Sequence, residues 1–308
     1  MSMIGELEHF ASRTGADVQR FVNEGKQELT QHVTEHPQPL FELLRAVKPV
    51  LQIHDIAIIT RYADVIEVLS NEKAFGVEPY IGKMQALVGD FILGLDDSPE
   101  YERHVSILRL AAPRSDIPKL ASFVADTAEA LVAESAGRNS GQVAIPDLAA
   151  RIPARLAARW LGTPGPAAAR VGDDDALRAV MWEAMRFAPQ GPGLLRRARS
   201  DFVVAAGSLH ETRISAGTIT LAATESAMLD GDVVDDPHEF RPGRPAHHYL
   251  HFGTGLHTCF GRFANEMQIP QIANALLRRG TLARAPGDAG KLVKHGPYPV
   301  SLAVTIAA

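Results

Sequence analysis

Between Tyr249 and Phe263 the chain runs YLHFGTGLHTCFGRF, a stretch that holds Cys259, the only cysteine among 308 residues. Three glycines, two histidines and three phenylalanines crowd around that thiol. A lone cysteine is most often a small, inert core residue. These neighbours point elsewhere. Glycine frees the backbone for sharp turns and for close approach of N–H groups to an acceptor. The residues that follow, GRFANEMQIPQIANALLRR, have helical composition and spacing. The positive N-terminal end of that helix would face Cys259 and favour its thiolate.

Outward from this stretch, bulk properties set bounds. A chain of this length can bury a substantial core as one large domain or two small ones. The net charge of -5 and the lack of a dense basic block argue against nucleic acid and against an anionic membrane surface as partners. The start, MSMIGELEHFASRTG, has no basic region followed by an apolar one, so it does not read as a signal peptide. VLQIHDIAII is interrupted by His54 and Asp55, and no apolar run reaches membrane-spanning length. One cysteine cannot close an internal disulfide, which fits a reducing cytoplasm, the expected location.

Periodicity places the elements. Residues 16–35 read as a polar amphipathic helix, PVLQIHDIAIITRY as two short strands and ADVIEVLSN as a helix. Phe75 to Leu95 has three glycines, a proline and no clean period, and reads as a lid-like loop with a short helix inside. DDSPEYERHVSILRLAA starts a helix, with Asp97 or Ser98 as its cap and Pro99 in its first turn. IPKLASFVADTAEALVAESA, DLAARIPARLAARWLG and ALRAVMWEAMRFA are further helices, with TPGPAAARVGDDD a breaker-rich connection before the last. RARSDFVVAAGSLHETRISAGTITLAA alternates like β-structure, ESAMLDGDVVDDPHEFRPGRP is turn-rich, Pro270 would kink the helix after the cysteine, and GPYPVSLAVTIAA closes as a strand. The class expected is mainly α with a minor β component.

FGTGLHTCFG, Phe252 to Gly261, fills every fixed position of Phe-Gly-x-Gly-x-His-x-Cys-x-Gly and so resembles the haem-binding loop of the cytochrome P450 superfamily. The resemblance implies haem b, iron protoporphyrin IX, with the Cys259 thiolate as axial ligand donating electron density to iron. Gly253 and Gly255 would let backbone N–H groups approach the sulfur, Phe252 would cover the proximal face, Gly261 would let the next helix lie close to the porphyrin, and His257 would reach a propionate. EAMR, with Glu183 and Arg186, resembles the family's Glu-x-x-Arg, and FRPGRP supplies Arg244 as third member of a buried network; alone, such an i,i+3 pair is a commonplace surface feature. PGLLRRARSD resembles the propionate-binding segment, with Arg196 the best match and Arg197 next. In LDDSPEYERHVSILR the family's His and Arg positions are Tyr101 and Val105; Tyr101 can donate a hydrogen bond, Val105 cannot, and Arg109 has the length to reach in from the next turn.

What the resemblance lacks is equally specific. Between WLG and WEAMR stand only about twenty residues where the family places its F to J helices, so the chain is about a hundred residues short. The I helix and its acid–alcohol proton relay have no counterpart there; AAGSLHETR and AATESA carry similar letters but fall after Arg186. The expectation is a truncated cytochrome P450-like fold, one haem-thiolate domain over 1–308, with the usual distal helices missing between about 163 and 175. The distal haem face would then need a cover. Phe75, Tyr80, Met84 and Phe91 could fold over it or be plain core; otherwise a second copy of the chain, as a homodimer, or a partner protein would serve.

Other clusters weigh less. His247, His248 and His251 in HHYLH read as solvent-facing or propionate-side histidines rather than a metal site. DGDVVDD lacks a calcium-loop framework, GDDD at Gly172–Asp175 reads as a helix cap, and no phosphate loop, dinucleotide fingerprint or nucleophile elbow is present. Three functions follow. The first is a haem-thiolate oxidoreductase acting on a small organic substrate, driven by peroxide rather than by a reductase. The second is a hydroperoxide isomerase or dehydratase, and the third a haem-binding accessory protein without turnover. No residue is assigned a catalytic role.

Overall fold

The computed structural model describes residues 37–88, 91–160, 174–295 and 298–307. One-turn helices aside, its helices are α1 (Gln38–Val47), α2 (Tyr62–Leu69), α3 (Glu78–Val88), α4 (Pro99–Ala111), α5 (Ile117–Arg138), α6 (Ile145–Trp160), α7 (Asp174–Phe187) and α8 (Arg262–Leu277). The strands are β1 (Val50–Ile53), β2 (Ile56–Ile59), β3 (Phe75–Gly76), β4 (Gln142–Ala144), β5 (Leu194–Ala198), β6 (Phe202–Val204), β7 (Thr212–Ile214), β8 (Ile219–Ala222), β9 (Thr281–Arg284), β10 (Val293–His295), β11 (Tyr298–Ser301) and β12 (Ala303–Ala307). Helix dominates and the β component is minor, as the sequence predicts. Two compact units share these elements: one takes the described residues up to Asp97 with Gly191–Glu239 and Gly253–His257, the other Ser98–Gln190, Phe240–Phe252 and Thr258 onward.

The first unit is built on a five-stranded sheet in the order β1-β2-β8-β5-β3. VLQIHDIAII forms the β1–β2 hairpin, with Val50 opposite Ile59 and His54 at a positive φ of 53° in the turn. β8 then joins β2 in parallel, and β5 and β3 complete the sheet antiparallel. α1 lays Leu40, Phe41 and Leu44 on Ile58 and Ala223; these are i, i+1 and i+4 positions of one helical face. Each such fully buried aliphatic or aromatic side chain contributes about 1.5–3 kcal/mol of burial.

The segment from Phe75 to Leu95 holds the helix expected inside it, and more regular structure besides. It contains β3, the eleven-residue α3 and a 3₁₀ turn over Ile92–Gly94. Glycine and proline obscure the period, but Glu78 and Pro79 suit a first helical turn. Tertiary contacts then hold the helix, the Tyr80 hydroxyl oxygen accepting the Leu195 N–H at 2.9 Å. Phe75 is buried and meets Phe202 edge-on at 5.2 Å, so it belongs to the core of this unit.

In the second unit α5 packs against α6 and α8. Leu120, Val124, Ala128 and Leu131 form one stripe of α5, and Leu148, Ile152 and Leu156 the facing stripe of α6, with Ala275 and Leu276 from α8. Pro270 sits inside α8 rather than ending it. The antiparallel sheet β4-β12-β9 and the β10–β11 pair complete the unit. α4 starts as expected, the Ser98 hydroxyl accepting the Tyr101 N–H at 3.1 Å with Pro99 next. The expected helix over 16–35 and most of TPGPAAARVGDDD lie outside the described residues; Asp174 opens α7.

Candidate functional site

Cys259 belongs to the second unit, three residues before α8, and is partly exposed rather than packed into hydrocarbon. Its N–H donates to the Phe252 carbonyl at 2.8 Å, and its own carbonyl accepts the Arg262 N–H at 3.1 Å. The thiol is therefore held at the mouth of a sixteen-residue helix. A Cβ added at Gly261 would lie 3.8 Å from Sγ, an ordinary contact, so the polypeptide itself does not demand glycine there. Phe252 packs on Trp182 at 5.7 Å between ring centres. His251 meets Trp182 edge-on; burial, and then the Arg186 cation, lower its pKa to about 4, which keeps the ring neutral at pH 7.

Glu183 and Arg186 of α7 are wholly buried in the same unit, and Arg244 joins them. Arg186 donates twice to the Glu183 carboxylate, at 2.7 and 3.2 Å, and Arg244 Nε once, at 3.1 Å. The sequence anticipates this trio. It gives no sign of two further donors, the Arg241 backbone N–H at 3.0 Å and the Tyr249 hydroxyl at 3.1 Å. Burial alone would push the Glu183 pKa up, but the hydrogen bonds from Arg186, Arg241 and Arg244 overcome it and bring the pKa down to about 2. Tyr249 responds oppositely: burial and then the Glu183 charge raise it to about 12.

In the first unit, Gly253 and Gly255 have φ of +67° and +74°. At Gly255 a Cβ would collide with the Leu69 carbonyl oxygen at the end of α2, so both conformation and close approach require glycine. The Leu256 N–H donates to Glu72 Oε1 at 2.8 Å, a contact without any signal in the sequence. Arg196, on β5, is 3 % exposed. Its Nη1 donates to the Leu195 carbonyl at 2.8 Å, and it has no ion pair among the described residues. Burial lowers its pKa, against the pull of Tyr80, Glu72 and Asp96. His257 lies near enough to feel Arg196; burial first and that cation second lower its pKa. Arg197 instead donates to the Gly217 carbonyl at 2.8 Å.

Tyr101 and Val105, in the second unit, are buried on α4, while Arg109 is exposed. His247 and His248 pack edge to face at 4.4 Å, and among the described residues no group of three or more His, Cys, Asp or Glu side chains is placed to hold a metal ion. AAGSLHETR forms the β6–β7 turn. There His210 lies 3.0 Å from Asp64 and 3.2 Å from Ser208 Oγ, which resembles an acid–base–nucleophile set. Ser208 Oγ already accepts the His210 N–H at 3.2 Å on an exposed turn, so the set secures the hairpin to α2.

The family model described as cytochrome P450 matches residues 175–305, the span that holds the Glu183 network and the cysteine loop. Over that span the chain is similar to the cytochrome P450 superfamily. The cytochrome P450 fold extends beyond that span: the structure of CYP109E1 from Bacillus megaterium in complex with testosterone superposes with a TM-score of 0.71 at 14% identity, covering 89% of this chain and 100% of that one. Among curated relatives, a bifunctional dioxygenase–epoxy alcohol synthase of Pyricularia oryzae is 34% identical over 102 residues, 33% of this chain and 9% of the relative. The cytochrome P-450 monooxygenase DoxA of Streptomyces peucetius subsp. caesius is 32% identical over 132 residues, 42% of this chain and 30% of the relative. The chain thus spans about a tenth of the first fungal relatives it matches and under a third of the Streptomyces enzyme. Likeness to this family implies a haem cofactor. No helix among the described residues is long and apolar enough to cross a membrane.

Proposed function

We propose that the chain, acting as one domain over 1–308, is a haem-thiolate oxidoreductase of a reducing cytoplasm, with Cys259 the axial ligand of haem b. Its substrate is a small organic molecule, and its oxidant a peroxide rather than dioxygen fed by a reductase. The observation that carries this reading is the thiol itself, partly exposed at the N-terminal end of α8 with its backbone pinned to Phe252. That end favours the thiolate.

Two features of the chain fit the group. Arg196 is a buried guanidinium without an ion pair among the described residues, a costly state that a haem carboxylate would relieve, and His257 is within its electrostatic reach. Gly261 is a glycine that no neighbouring protein atom requires, as expected where a flat ring lies against the chain. When bound, the group supplies a redox-active iron whose thiolate ligand favours O–O cleavage. Phe252 would then shield the sulfur, Gly253 and Gly255 set the loop, and Arg196, His257 and Tyr101 anchor the carboxylates.

Support for peroxide lies in the thirteen residues LGTPGPAAARVGD between Trp160 and Asp174. The family's acid–alcohol relay has no counterpart in those letters, so a preactivated oxygen donor suits this chain better. The distal face would be covered by a second copy or a partner protein. A second reading, a hydroperoxide isomerase or dehydratase, is favoured by the likeness to an epoxy alcohol synthase. An epoxy alcohol is an isomer of an unsaturated hydroperoxide, so that conversion consumes no external electrons.

The test is spectroscopic. The reduced carbon monoxide complex should show the thiolate-type Soret band, and Cys259→Ser and Cys259→Ala should abolish it. A histidine-type band in the wild type, or persistence of the thiolate band in both variants, overturns the ligand assignment. Hydrogen peroxide with a reducing dye then probes the first reading, and a lipid hydroperoxide without reductant the second.

A further inference from the structure

We propose that Glu72 is the positioning residue of the cysteine loop, its carboxylate clasping the Gly253–His257 segment to the end of α2. The clasp is a property of the polypeptide alone, and its functional consequence rests on the haem-thiolate reading above.

Three observations within the first unit carry it. Glu72 Oε1 accepts the Leu256 N–H at 2.8 Å, a charge-assisted bond to backbone. The same oxygen would stand 3.0 Å from a Cβ at Gly255, and the Leu69 carbonyl would collide with that Cβ, so the loop backbone rests directly on the last residues of α2. Finally, Glu72 is a nearby negative charge for Arg196, a group expected to meet a haem carboxylate.

Its location is otherwise unfavourable. A carboxylate just past the C-terminal end of a helix meets the negative end of the dipole. Such a carboxylate is stable there if its partners outweigh that repulsion, and the Leu256 N–H and the neighbouring Arg196 cation are those partners. Glu72 therefore has two separable effects. It fixes the loop backbone by reach, and by charge it balances Arg196 until a haem carboxylate arrives.

Two variants pull these apart. Glu72→Gln keeps an acceptor of the same reach and removes the charge, whereas Glu72→Asp keeps the charge and shortens the reach by one methylene. In the apoprotein, amide exchange at Leu256 should quicken about tenfold or more in Glu72→Asp, as for loss of a hydrogen bond to a charged group, and clearly less in Glu72→Gln, which keeps a neutral acceptor. Loaded with hemin, Glu72→Asp should lose the thiolate-type band of its reduced carbon monoxide complex faster than wild type. Glu72→Gln should keep that band and release hemin to a scavenger protein more slowly than wild type. Equal Leu256 exchange in all three proteins overturns the clasp, and so does faster exchange in Glu72→Gln than in Glu72→Asp. Absence of the band from the wild type would overturn the haem-thiolate reading instead, and the exchange measurement would still decide the role of Glu72.

Discussion

Removing the Glu183 carboxylate would leave Arg186 and Arg244 buried without the charge that holds them. Glu183→Ala should therefore cost about 3–5 kcal/mol, read by chemical denaturation of the apoprotein. The acid dependence has a definite sign. The Glu183 pKa falls from 4.5 in the unfolded chain to about 2 in the fold. The associated stability is fully present above pH 4.5 and is lost as the pH drops through 2. That loss amounts to about 3 kcal/mol, and Glu183→Gln should flatten the stability profile across that window. Two glycines separate conformational need from space left for a ligand. Gly255→Ala puts a side chain at φ +74° and against Leu69, and should destabilise the apoprotein by about 1–3 kcal/mol. Gly261→Ala meets only ordinary contact, so apoprotein stability should change by about 1 kcal/mol or less while hemin binding weakens clearly.

Helices with regular stripes behave as their sequence says. Ile152 lies fully buried in the α5–α6 core, and Ile152→Ala should cost about 2–5 kcal/mol by thermal unfolding. Ser98→Ala, which removes the cap of α4, should cost about 0.5–2 kcal/mol. Such features were legible because period and capping are local: one residue predicts its neighbour three or four places on. The VLQIHDIAII hairpin and the α5 stripe were read correctly for that reason. α3 was legible only as a short helix without bounds, because Gly82 and Pro79 blur its pattern and its support comes from Leu195, 115 residues away. The Glu183 trio was legible as motif letters, yet Tyr249 and the Arg241 amide were not. A hydrogen bond to backbone, or across 66 residues, leaves no period to find. Glu72 escaped notice for the same reason.

At the scale of the molecule, cofactor and fold should be thermodynamically linked. Hemin at a hundredfold excess over its Kd should add about 2.7 kcal/mol to stability, visible as a higher Tm than that of the apoprotein. Cys259→Ala should diminish that gain while leaving the apoprotein Tm nearly unchanged, since the thiol is only partly buried. Neither unit is one continuous stretch of chain: Gly253–His257 is assigned to the first, and the residues on both sides of it to the second.

β2 pairs with β8 in parallel, Ile56 beside Ile219. A nascent chain that has already delivered β2 must wait for the ribosome to add another 163 residues (219 − 56) before that neighbour exists. At ordinary translation speeds the delay is roughly ten to thirty seconds. For that time Ile56, Ile58 and Ile59 present an unmated edge to solvent, so yield during expression should respond to holdase chaperones more than to any change at the cysteine.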